Sequence, residues 1–185
     1  MSVKDLVYSV YERRLTALLQ GKPRPKHVGV MCDGNRRWAR EMGYVDPNDG
    51  HRVGARRVLD LLRWCDEADI EHVTLYLLAT DNLQRPAAEL DPLVQIIVDL
   101  CTELAEDGNP WRLRMVGALD MLPSPAATAL KAAEERTLDR SGGVQVNIAV
   151  GYGGRREIAD AVRSLLHEHA KAGRTIEELA EILDV

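Results

Sequence analysis

Phenylalanine is absent from this chain, and aromatic residues together make up only 4% of it. An apolar ligand would therefore meet mainly Leu, Ile, Val, Met and Ala rather than stacked rings. Cysteine is scarce too. Cys32, Cys65 and Cys101 are odd in number and lack metal-ligand spacing, which argues against a disulfide framework or a zinc site. Buried thiols in a reducing, cytoplasmic setting are the expectation. No apolar stretch approaches membrane-spanning length, and Met1-Ser2-Val3-Lys4-Asp5 does not read as a signal peptide. Internal repeats and low-complexity segments are lacking. So is an excess of positive charge: 24 basic against 29 acidic residues give a net charge of −5. That balance excludes nucleic-acid binding by bulk electrostatics.

What is present suits one globular domain of 185 residues, with 45% hydrophobic and 29% charged residues. Residues 1–24 read as an N-terminal helix, with Val7, Val10 and Tyr11 on one face, and a linker rich in Pro and Lys. Residues 25–185 read as a single catalytic-type domain in which apolar strands alternate with amphipathic helices. The strands end near Met31, Leu78, Val116 and Val150. Helical spacing marks Val58, Leu61, Leu62 and Cys65, then Leu93, Ile96, Ile97, Leu100, Cys101 and Leu104. Ser124-Pro125 reads as a cap and first-turn proline. Ile158, Ala161, Val162, Leu165 and Leu166 read as the inner face of a later helix, and Thr175 with Glu178 as a capping box before a last one. This order implies an α/β fold with a mostly parallel central sheet and helices on both faces.

The most informative segment runs from His27 to Ala39, where an apolar strand ends in Asp33-Gly34-Asn35-Arg36-Arg37-Trp38. N–H groups at a helix start attract anions, two guanidinium forks strengthen that pull, and a carboxylate beside them can hold a hard cation. Local chemistry leaves two readings open: a diphosphate–metal site, or a helix capped by Asn35 with surface arginines. Arg40, Arg52, Arg56 and Arg57 add to the local basicity. Polar clusters also follow the second strand (Thr80 to Arg85) and the fourth (Gly151 to Arg156), on the same carboxyl edge of the sheet. Ligands of such sheets bind at that edge, and three clusters there favour the anion site. His167 and His169 flank Glu168 on what reads as a solvated helix, and Gly151 to Gly154 lacks dinucleotide-fingerprint spacing.

Four segments in order carry a resemblance to the cis-prenyltransferases, the family that includes undecaprenyl diphosphate synthase and shorter-chain relatives. They are His27 to Ala39; Gly50-His51-Arg52-Val53-Gly54; Thr74-Leu75-Tyr76 through Asn82, Arg85-Pro86 and Glu89; and Asn147 to Arg155. The resemblance implies a transferase joining an allylic diphosphate to isopentenyl diphosphate with a new cis double bond. It implies Asp33 as the Mg²⁺ position and a catalytic residue, and Asn82 near the reacting carbons. Gly34, Asn35, Arg36, Arg37, Trp38, His51, Thr80, Leu83 and Arg85 are its implied substrate contacts. Glu89 either orients Arg85 or forms a plain surface ion pair. The prenyl chain would lie in an apolar tunnel between sheet and helices. Val58, Leu61, Leu93 and Ile97 read as core first, and as tunnel lining only where a cavity exists. The resemblance also implies a homodimer and allows peripheral contact with the inner face of the cell membrane.

The chain departs from the family pattern in places. Leu83 stands where long-chain members usually carry tryptophan, and Gly151 where asparagine is usual before Tyr152. Both features are similar to short-chain members that make Z,E-farnesyl diphosphate from geranyl diphosphate, so a short product is expected. A long-chain polyprenyl diphosphate synthase and a non-catalytic partner subunit are the alternatives. Ala79 replaces a frequent serine, and Asp46 lies near a family arginine. The family pattern continues into an Arg-x-x-Gly-Glu…Arg-x-Ser segment that binds isopentenyl diphosphate, and this chain ends at Asp184-Val185 without it. The expectation is that residues 1–185 alone hold the allylic diphosphate and do not complete the condensation.

Overall fold

Alternation within the strands sets the architecture. The computed structural model describes residues 3–19, 21–173 and 175. Its strands β1 (His27–Met31), β2 (His72–Ala79), β3 (Arg112–Val116) and β4 (Gln145–Tyr152) form one parallel sheet in the order β1-β2-β4-β3. In-register rows of Val28, Val73, Val146 and Leu113, and of Val30, Leu75, Ile148 and Met115, make one face apolar. The intervening row of Gly29, Thr74, Asn147 and Arg114 makes the other face polar. There Thr74 Oγ1 accepts from Asn147 Nδ2 at 3.1 Å and lies 2.7 Å from His27 Nε2.

The helices are α1 (Val3–Leu19), α2 (Asn35–Glu41), α3 (Asn48–Glu67), α4 (Ala87–Leu104), α5 (Ser124–Arg136) and α6 (Gly154–Lys171). Val58, Leu62 and Cys65 of α3, Leu93, Ile97 and Leu104 of α4, and Leu130 and Ala133 of α5 join the strand residues in one core. Helix cover on both faces is the sequence expectation. The parallel α/β sheet is present, and among the described residues the apolar core lies on the Val73 face. The strands explain this, because doubly covered parallel strands are apolar throughout, whereas Thr74, Asn147 and Arg114 alternate with the buried residues. The end of α5 seals the β3 edge, where Thr137 Oγ1 accepts from Leu113 N at 2.9 Å and Glu134 Oε1 from Met115 N at 3.1 Å.

Side chains lock the end of the molecule opposite the carboxyl edge. Asp66, near the end of α3, accepts from Trp111 Nε1 at 2.5 Å and Val144 N at 2.9 Å, which ties α3 to the starts of β3 and β4. Arg140 donates to the carbonyls of Leu104, Ala105, Glu106 and Trp111, satisfying acceptors left open where α4 ends. With its far end fixed, α3 presents its first turns to the carboxyl edge.

Three expectations need correction. Pro123, not Ser124, takes the cap position of α5, and Ser124 makes no side-chain cap bond because extended Pro123 already leads into the first turn. Ile158, Val162 and Leu166 of α6 are exposed rather than inward, since helical periodicity identifies a stripe but not what packs on it. His169, expected in solvent, is buried, while His167 is exposed. The capping box with Glu178 and its helix lie outside the described residues.

Candidate active site

The turn after β1 is built by hydrogen bonds within its own residues. Cys32 N extends the ladder to Tyr76 O at 3.2 Å, and Asp33 N donates back to Met31 O at 2.9 Å. Gly34 then adopts φ +86°, a left-handed conformation that favours glycine, and occupies the cap position of α2. Asn35 is therefore not the cap. Its Nδ2 donates to Cys32 O at 3.1 Å and folds the turn back on the strand. Asp33 stays exposed, with Oδ1 accepting from Gly34 N at 2.6 Å.

The first turns of α3 clamp this loop. A Cβ on Gly50 would stand 2.1 Å from the Asn35 carbonyl oxygen, and one on Gly54 2.6 Å from Asn35 Oδ1. Glycines four apart share a helix face, so the Gly50…Gly54 spacing lets Asn35 rest directly on the α3 backbone. These contacts explain the second sequence segment sterically. The same approach carries His51 to the site.

Two hollows meet at the carboxyl edge. The polar one, about 510 Å³, is lined by Asp33, Gly34, Asn35, Arg36, Arg37, His51, Asn82 and Arg85. Arg40, Tyr76 and Tyr152 line it too, although no contact role was assigned to them from the sequence. Arg40 belongs to the basic run, Tyr76 to the third segment and Tyr152 to the fourth, so the sequence carries a signal for all three. Tyr76 and Tyr152 pack edge to face at 5.5 Å between ring centres. The apolar hollow, about 540 Å³, lies between α3, α4 and the strands and takes in Val58, Leu61, Leu93 and Ile97. The condition attached to those four residues is thus met, and Val58, Leu93 and Ile97 belong to the core as well. Cys32, Asn35, His51, Leu77 and Leu93 line both hollows.

Charge in the polar hollow is organised by one carboxylate. Glu89 Oε1 accepts from Arg36 Nη1 at 2.5 Å and lies 3.2 Å from Arg85 Nη1, while Arg85 Nη2 donates to Asn82 Oδ1 at 3.0 Å. Glu89 thereby joins α2 to the turn before α4, which is more than a surface pair with Arg85 alone. Arg37 has no ion-pair partner among the described residues. Burial first, then the Arg85 and Arg36 charges, hold the His51 imidazole below its ordinary pKa. Burial pushes the Cys32 thiol up, so it stays protonated.

The remaining candidates lie elsewhere. Trp38 lines the apolar hollow, with its ring 5.6 Å from that of Tyr44. Thr80 and Leu83 line neither hollow: Thr80 packs under Gly153, and Leu83 against the core. Arg52 is engaged by Asp46 and Asp49, and Arg57 by Asp60. Gly151 has φ +63°, a conformation that glycine and asparagine both tolerate, so its replacement of asparagine has a backbone explanation. Among the described residues no three His, Cys, Asp or Glu side chains cluster as a ready-made metal cage. Asp33 offers a single exposed carboxylate. That matches an Mg²⁺ held by one carboxylate together with phosphate oxygens and water.

Comparison with known proteins converges on one group. The family model described as "Putative undecaprenyl diphosphate synthase" matches residues 31–184. Isoprenyl transferase 2 of Streptomyces coelicolor is 53% identical over 179 residues, covering 97% of this chain and 69% of that protein. The (2Z,6E)-farnesyl diphosphate synthase of Thermobifida fusca is 54% identical over 169 residues, covering 91% of this chain and 65% of that one. The crystal structure of lavandulyl diphosphate synthase from Lavandula x intermedia, in complex with dimethylallyl diphosphate, superposes with a TM-score of 0.75 at 25% identity. It covers 83% of this chain and 66% of its own. The chain thus spans about two thirds of the length of these relatives.

Proposed function

This chain belongs to the undecaprenyl diphosphate synthase family of prenyltransferases, and on that premise we propose that it binds a short allylic diphosphate, such as geranyl diphosphate, for condensation with isopentenyl diphosphate. The observation that carries this reading is the shared wall. A polar hollow rich in guanidinium groups opens, past Cys32, Asn35, His51, Leu77 and Leu93, onto an apolar one. An amphiphile with a charged head and a branched hydrocarbon tail fits that pair, with the bond between them at the seam. Relatives named (2Z,6E)-farnesyl diphosphate synthase at 46–54% identity support a short product.

The chemistry follows from the placement. The allylic C–O bond breaks, diphosphate leaves, and positive charge spreads over the allylic carbons. The double bond of isopentenyl diphosphate supplies the electrons for the new C–C bond, and loss of a proton restores an alkene. Arg36, Arg37 and Arg85, with the N–H groups that start α2, neutralise the departing oxygens. Asn82, held by Arg85, lines the polar hollow as an orienting or proton-accepting amide. Asp33 would hold Mg²⁺ against the diphosphate, where the ion offsets charge on the leaving group.

Homodimerisation and contact with a membrane surface belong to the same reading. Val7, Val10, Tyr11 and Leu18 on α1 and Ile158, Val162 and Leu166 on α6 offer exposed apolar faces. No helix among the described residues is long and apolar enough to cross a membrane. The unpaired Cys32, Cys65 and Cys101 fit a reducing cytoplasm.

The test is condensation of geranyl diphosphate with isopentenyl diphosphate by the native protein, with and without Mg²⁺ and in Asp33→Ala. Chromatography gives the product length. A C15 product that requires the metal and Asp33 is expected. Long products would support a polyprenyl synthase instead, and no product under any condition would support a non-catalytic subunit.

A further inference from the structure

The apolar hollow runs along α3, and one side chain toward its far end lines a second hollow as well. Starting at His51, beside the polar hollow, its α3 lining passes Val58 and Leu61 and ends at Trp64. Trp64 stands thirteen helical steps beyond His51, roughly 20 Å at 1.5 Å per residue. Beyond Trp64 lies a second hollow of about 400 Å³ beneath α1, bounded by Leu15, Leu19, Arg24 and Ala68. Among the described residues, Trp64 alone lines both. The residue is 55% exposed, so it is no pillar of the core. Its indole is the side chain that the two spaces share.

We propose that Trp64 is a specificity-determining residue: it is the end wall met by the distal isoprene unit, and it sets the longest prenyl chain that the cavity takes. This rests on the prenyl diphosphate reading above. A chain anchored by its diphosphate at Arg37 and Arg85 extends along α3 and stops against the indole. With the indole removed, the hollow continues beneath α1 between Leu15 and Leu19, which are apolar enough to receive more hydrocarbon. The charged Glu12, Arg24 and Glu67 at the margin of that groove then become the next limit.

The test compares wild type, Trp64→Phe, Trp64→Leu and Trp64→Ala, with circular dichroism as the check on folding. Calorimetric binding of non-reacting thiolo-diphosphates with ten, fifteen, twenty and twenty-five carbons needs no turnover. In wild type, affinity should fall at least tenfold beyond a certain length. In Trp64→Ala, and in Trp64→Leu should the alanine variant not fold, that break should move out by at least one five-carbon unit. Trp64→Phe should keep it in place. A break at the same length in all variants, or no break in wild type, overturns the proposal. Product analysis with geranyl and isopentenyl diphosphates separates this outcome from failure of the functional reading. Length-dependent binding without any product would leave the wall standing and refute the transferase. Products of unchanged length in Trp64→Ala would refute the wall and leave the transferase.

Discussion

The two hollows beside Leu77 hold opposite ends of one molecule and are made in opposite ways. The polar one draws charge from residues that carry little packing: Asp33 is exposed, and Arg37 has no ion-pair partner among the described residues. The apolar one comes from residues that also make the core, with Val58, Leu93 and Ile97 each at least nine-tenths buried. Changes in the first region should therefore cost chemistry and spare stability. Changes in the second should cost stability and alter which chain fits. Substitutions can break this contrast or sharpen it.

The largest effect is expected at Asp33. Asp33→Ala should lower the condensation rate of the native protein by about a hundredfold or more, the scale on which charge-stabilising groups act. Its thermal midpoint should hardly move, because among the described residues the carboxylate bonds only to the neighbouring Gly34 N. Steady-state rates and a thermal melt check both halves. A large fall in the midpoint would break the contrast.

Gly50 packs against Asn35, a residue of both hollows, and there the contrast should fail. An added Cβ would stand 2.1 Å from the Asn35 carbonyl oxygen, and backbone cannot swing aside as a side chain can. Gly50→Ala should destabilise the protein by about 1–3 kcal/mol, the usual cost of overpacking, and should weaken diphosphate binding by displacing Asn35. Gly108→Ala is the control, since nothing lies within 4 Å of its Cβ position. Denaturant melts of both variants decide the point.

The same contrast governs what could be read from the sequence. Charged and amide side chains on a strand-end loop announce themselves, because a loop has little structural use for Asp33-Gly34-Asn35-Arg36-Arg37 together. The four strands, their parallel direction and most of the polar lining are legible in the sequence, whereas the order β1-β2-β4-β3 is not. Val58 and Leu61 show the opposite case: helical spacing assigns them to a core equally well with or without a cavity. Trp64 gave no signal, since its role depends on what lies on each side of the ring. Thr80 and Leu83 are implied by resemblance alone; the turn sets Thr80 against Gly153 and Leu83 against the core. The polar row of Thr74, Asn147 and Arg114 takes its meaning only from the register that brings the three side by side. The α6 stripe was legible as a stripe and not as exposed, because periodicity carries no information about partners.

Glu89 separates positioning from charge within the polar hollow. Glu89→Gln keeps the shape and removes the charge that gathers Arg36 and Arg85. With that carboxylate about one-third exposed, solvent screens the pairs, and the change should cost less than about 1 kcal/mol of stability. Freed guanidinium groups should hold inorganic pyrophosphate at least as tightly as before. Turnover should nevertheless fall about tenfold, because two mobile arginines no longer meet the leaving oxygens in a fixed arrangement. Weaker pyrophosphate binding with unchanged kcat would assign Glu89 to a different role.

The smallest effect concerns protons and isolates the polar hollow from its neighbour. Burial, then Arg85 and Arg36, keep the His51 pKa below its ordinary value, so the free site holds a neutral imidazole at pH 7. The unfolded chain then binds more protons in the window between the lowered and ordinary values. Stability contributed by neutral His51 is complete above about pH 6.5 and is lost as pH falls through the lowered folded value. Diphosphate reverses the local field, raises the imidazole pKa and draws in a proton. Pyrophosphate affinity should therefore rise a few-fold as pH falls from about 8 to 6, beyond the contribution of the ligand's own titration. Calorimetry in two buffers of different ionisation enthalpy should show proton uptake in wild type that is missing in His51→Asn. The change in affinity per added isoprene unit should not vary with pH, because hydrocarbon burial against Leu61 and Ile97 carries no proton. If that increment followed pH in step with head-group binding, the two hollows would be a single energetic unit despite their different walls.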